Sequence, residues 1–170
     1  MHKTAILLIA SLAAAPAMAG WEKIDGGVTA KPDETNATIE AIYIHCLDGP
    51  AIDVYSRDLG PVQPLDGAVE PDYFYKPGVV RADVDGKQFP LTAAGSDDAV
   101  VLFSEGSEAQ SYLKPIDTAL IDAMAAGRTL TLSFDISPGR GADGSGLETF
   151  ARFDLAGAGS LISEAVKACV

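Results

Sequence analysis

The chain is short of the side chains on which most catalysis depends. It holds two histidines, two cysteines and one tryptophan in 170 residues. His2 falls in an N-terminal stretch that reads as removable, which leaves His45 as the single imidazole. One imidazole excludes a histidine-rich metal centre. A Ser-His-Asp arrangement would have to be built around His45, and no Gly-x-Ser-x-Gly elbow is present to supply its nucleophile. Positive charge is scarce as well: 12 Lys and Arg stand against 24 Asp and Glu, a formal net charge of −12. Such a surface argues against nucleic acid and anionic membranes as partners. Long apolar runs are also missing, since the stretch from Ala5 to Ala15 is too short to span a bilayer.

That stretch has a different reading. Lys3 leads into it, and Ala17-Met18-Ala19 offers a small-x-small cleavage site before Gly20-Trp21. Residues 1–19 are therefore expected to be a secretory signal peptide, and residues 20–170 one β-rich domain exported to the periplasm or beyond. No cysteine sits at the cleavage point, so a lipid anchor is not expected, nor is membrane insertion after cleavage. In an oxidising compartment Cys46 and Cys169 are expected to pair, a structural bridge across a sequence separation of 123. Pairing would also remove both thiols as nucleophiles.

The order of elements follows from periodicity and turn residues. Trp21 to Pro32 reads as a loose entry segment with a short strand near Trp21. Thr38 to Cys46 and Ala51 to Ser56 read as a hairpin about Asp48-Gly49-Pro50, and Arg57 to Pro71 as an irregular loop. Val79 to Thr92 is the clearest hairpin: Asp85-Gly86 suits a type I′ turn, which sets Val84 against Lys87, Ala82 against Phe89 and Val80 against Leu91. Pro90 suggests an edge position or a bulge. After a strand at Ala99 to Phe103, a helix is expected from Pro115 to Ala126, with Gly127 ending it. Leu130, Leu132, Phe134 and Ile136 then alternate with polar residues in a half-buried strand, and Glu148 to Leu155 returns beside it. A last helix is expected from an N-cap at Ser160 to Cys169. The expected fold is mainly β, a β-sandwich or open barrel with two helices, the C-terminal one packed on the sheet; α+β is the alternative.

Two segments stand out as contact surfaces. Tyr73-Phe74-Tyr75, between Pro71 and Pro77, is the one aromatic cluster; as a strand it would put Tyr73 and Tyr75 on one face, for core packing or for stacking on a peptide or sugar. The loop Gly139 to Gly146 lacks the lysine and following helix of a phosphate cradle, so it reads as a hairpin tip on which Arg140 offers a contact. Asp83-Val84-Asp85-Gly86 falls short of a calcium loop. Neither a metal nor a cofactor is expected.

Trp21 after the cleavage site, the strand Ile39 to Cys46, the hairpin about Asp85-Gly86, and the ending Phe153-Asp154-Leu155-Ala156-Gly157, helix, Cys169 together resemble small secreted proteobacterial proteins of the invasion-associated locus B type. They also resemble type VI secretion accessory proteins that end in an FDLxG segment, an amphipathic helix and a cysteine. The resemblance implies a periplasmic, non-enzymatic accessory or interaction protein whose partner belongs to the envelope or a secretion system. A small-ligand or glycan-binding protein using the Tyr73 to Tyr75 aromatics is the alternative.

Overall fold

The computed structural model describes residues 20–65, 71–95, 98–140 and 146–169. The expected signal peptide and the tip of the Gly139 to Gly146 loop lie outside these. The described chain contains eleven strands and two helices: β1 Trp21–Ile24, β2 Gly27–Ala30, β3 Glu34–Thr35, β4 Ile39–Cys46, β5 Pro50–Ser56, β6 Val80–Val84, β7 Lys87–Gly95, β8 Val100–Glu105, β9 Leu113–Lys114, α1 Thr118–Ala126, β10 Thr129–Arg140, β11 Gly146–Asp154 and α2 Gly159–Ala165. All pair antiparallel in one sheet of order β1-β2-β4-β5-β8-β7-β6-β10-β11-β3, with β9 beside β8. This is the open-barrel form of the expected mainly β fold.

Alternation builds the interior. Ile42 and Ile44, Ile52 and Val54, Val100 and Leu102, Leu91 and Ala93, and Leu130, Leu132 and Phe134 all point inward and are buried. The sheet curls until chain 27–35 bridges its two ends: its first part pairs with β4 and its last two residues pair with β11. Trp21 fills the seam left between β1 and β11, and its indole N–H donates to the Asp154 carbonyl at 2.6 Å. Side chains satisfy the free edge of β11. Asn36 takes the Phe150 N–H and donates to the Glu148 carbonyl, while Asp33 accepts from the Asp154 N–H. An edge so occupied offers little to a second sheet.

Each mouth of the barrel is covered. α1 crosses one mouth, from the Leu47–Gly49 turn, where the Ile116 N–H donates to the Pro50 carbonyl, to the Asp85-Gly86 turn. There the Asp85 carboxylate accepts from the Arg128 and Thr129 N–H groups at 2.9 and 3.0 Å. Gly127 caps the helix in an extended conformation, and glycine is needed there for space rather than handedness: a Cβ would lie 2.6 Å from Val84 Cγ1. α2 packs on α1 and on the β2 and β4 end of the sheet through Ile162, and Val166 just beyond it is buried. The described parts of the crossover from β5 to β6 lie at the other mouth, where Val62 and Tyr73 are buried.

The hairpin register about Asp85-Gly86 is as expected, with Val84 against Lys87 and both turn residues at positive φ, 51° and 89°. Several expectations need correction. Trp21 to Ala30 is a complete hairpin, not a loose segment. β7 as a whole runs between β6 and β8, but Pro90 pairs with β6 alone, one residue outside the stretch Leu91–Gly95 that meets β8, so the edge position expected for it holds locally. α2 starts at Gly159 and stops at Ala165, so Ser160 is not its cap and Cys169 follows it. Packing sets this start, since a Cβ on Gly159 would collide with the Ala125 carbonyl of α1. Cys46 and Cys169 are bonded, with Cα atoms 5.7 Å apart.

Candidate functional site

The aromatic cluster does not form the surface that a strand would give it. Residues 73–75 make one bridge, Phe74 to Ala93, and Tyr75 turns into the left-handed region at φ 56°. Tyr73 is therefore wholly buried and Tyr75 is 56% exposed. The Tyr73 ring meets Phe134 edge-on at 5.1 Å, and its hydroxyl accepts from the Val62 N–H at 2.7 Å, which ties the crossover to the core. Burial pushes the Tyr73 phenol well above its ordinary value, and the Val62 backbone bond offsets this only in part. Phe74 is half-buried in a shallow hollow with Leu59 and Gly95. Arg140 lies elsewhere, at the end of β10, paired with Gly146.

A second concavity lies outside the barrel, at the α1 mouth. β5 and β8 pair only at Ile52–Val54 with Val100–Leu102. Beyond that point β9 takes the place of β5 beside Ser104 and Glu105, and Pro115 wedges into the split. The result is a groove of about 170 Å³ with Leu47, Ala51, Val101, Phe103 and Pro115 in its lining. Gly49, at φ 148°, makes the close approach possible, because a Cβ there would lie 2.9 Å from Pro115 Cβ. Leu47 is 68% exposed at its rim, next to the disulfide.

A polar cluster continues the same face of β4 and β5. His45 Nε2 and Asp53 Oδ2 are 3.1 Å apart, and the His45 ring stacks on Tyr43 at 4.5 Å and 7°. Gly27 lies opposite His45 and leaves room for this stack, since its Cβ would meet the Tyr43 ring at 2.6 Å. Burial raises the phenol pKa of Tyr43, helped by Asp25 and then Asp53; burial also raises that of Tyr55, helped by Asp53 and Asp98. The hydrogen bond of His45 among the described residues is to Asp53, with no serine or threonine hydroxyl joined to it. Nor does any group of three or more His, Cys, Asp or Glu among the described residues come together as a metal site.

Sequence reasoning set His45 aside and missed the groove. The His45–Asp53 pair was within reach, because extending the β4–β5 hairpin from its turn puts Tyr43 opposite Asp53 and His45 opposite Ala51. The groove had no local signal, since it depends on where β5 and β8 separate and on a proline more than sixty residues from Leu47. Comparison of the chain with family models, with curated proteins and with solved structures found no match.

Proposed function

We propose that this chain is an exported, non-enzymatic accessory protein of the cell envelope, and that it holds a protein partner at the groove between Leu47 and Pro115. The groove is the observation that carries this reading. Its lining is mostly apolar, and its volume of about 170 Å³ is below the roughly 300–1,000 Å³ of pockets that enclose a small ligand. A concavity of that size suits one apolar anchor side chain, the usual centre of a protein interface. The signal peptide read at residues 1–19, the oxidised cysteine pair and the resemblance of Phe153 to Cys169 to envelope accessory proteins agree with it.

The glycan-binding alternative has the exposed Tyr75 in its favour and the burial of Tyr73 against it. The two readings separate in one experiment. A photo-reactive residue is placed at Leu47, at Tyr75 or at Glu148 of the full chain, and the cells are irradiated. Adducts of one discrete mass from Leu47, absent from the other two positions, support the groove. Adducts from Tyr75 alone, or equal yields from all three, overturn it.

A further inference from the structure

The apolar groove is bordered by carboxylates that form no ion pair among the described residues. Asp48 is exposed in its lining. Glu105 is exposed on β8, two residues beyond Phe103 and hence on the same face of the strand. Neither belongs to any ion pair among the described residues. The cation nearest to Glu105 in sequence, Lys114, is held by Asp117 at 2.5 Å, and the one nearest to Asp48, Arg57, lies 3.6 Å from Glu40. Asp53, further along the same face, gives one oxygen to His45, and its Oδ1 has no hydrogen-bond partner among the described residues. The remaining carboxylates of a chain at −12 add to the same negative field.

From this arrangement we infer that the segment docking in the groove carries one aliphatic or aromatic anchor flanked by lysine or arginine. This rests on the groove being a partner site, as proposed above. The anchor fills the space over Ala51, Val101 and Phe103, while the flanking cations meet Asp48 on one side and Glu105 on the other. Anionic and neutral segments gain the apolar contact only. Rim charges of this kind act mostly on encounter rate and salt dependence, and each contributes modestly.

The test uses the mature chain and three labelled peptides of equal length, each with a central leucine flanked by lysines, serines or glutamates. The lysine peptide is expected to bind about tenfold more tightly than the serine peptide at low salt, the sum of two exposed charge pairs. The glutamate peptide is expected to bind most weakly, and the preference should shrink as salt rises past a Debye length comparable to the groove. In the Asp48→Asn, Glu105→Gln double variant the lysine and serine peptides should converge. Unchanged Trp21 emission reports that this variant is folded. Val101→Lys should abolish binding of all three. If the lysine and serine peptides bind wild type equally, the charge inference is overturned and the groove remains a docking site. If none binds and Leu47 yields no adduct in cells, both fall together.

Discussion

Tyr73 shows how one side chain can hold a long crossover in place. Its phenol oxygen is the acceptor that the buried Val62 N–H needs, and its ring packs on Phe134 in the core. Tyr73→Phe keeps the ring and orphans that N–H, which costs about 1–3 kcal/mol. The same substitution should change the alkaline behaviour. Because burial raises the folded-state phenol pKa above its ordinary value of 10.0, Tyr73 contributes stability that is fully present below about pH 10. That contribution is lost as pH rises through the folded-state value. Urea unfolding from pH 7 to 11 should show a falling alkaline limb in wild type and a flatter one in Tyr73→Phe. Identical limbs would place the ionising group elsewhere.

Among the elements, those governed by neighbours in sequence were readable. The Asp85-Gly86 hairpin declared both its turn and its register, and the alternation of β10 declared its buried face. The β1–β2 hairpin carried the same kind of signal in Asp25-Gly26, with Gly26 at φ 77°, yet its strands are only four residues each and show no clear alternation. What stayed hidden was set by packing between distant elements: the start of α2 against Ala125, the burial of Tyr73, and the split between β5 and β8 that opens the groove. The seam closed by Trp21 belongs to this second kind, and it can be tested. Trp21→Phe removes the donor to the Asp154 carbonyl and part of the buried ring, a loss of about 1–3 kcal/mol. Far-UV circular dichroism should record a lower urea midpoint. Lys23→Ala, on the same strand as Trp21, breaks the exposed pair with Glu164 of α2 and should leave the midpoint where it was. Equal losses in the two variants would mean that β1 is held by its surface rather than by its seam.

For the molecule as a whole, the Cys46–Cys169 bond encloses every element from the end of β4 to the turn after α2. A closed loop with a sequence separation of 123 restricts the unfolded chain by about 5 kcal/mol in the loop-entropy model. That is comparable to the whole net stability of many domains, about 5–15 kcal/mol. The folded state leans on the bond much less. Ile162 and Val166 already bury the C-terminal segment, and the Leu47–Gly49 turn is held by the Pro115 contact and by the Ile116–Pro50 hydrogen bond. The Cys46→Ser, Cys169→Ser variant should therefore lose about 2–5 kcal/mol in urea unfolding. Its m-value should rise, because an unbridged unfolded chain exposes more surface. Its strand content and its preference for the lysine-flanked peptide should stay as they are in wild type. Loss of peptide binding at unchanged circular dichroism would show instead that the bond shapes the groove itself, with Leu47 depending on its neighbour Cys46 for its place at the rim.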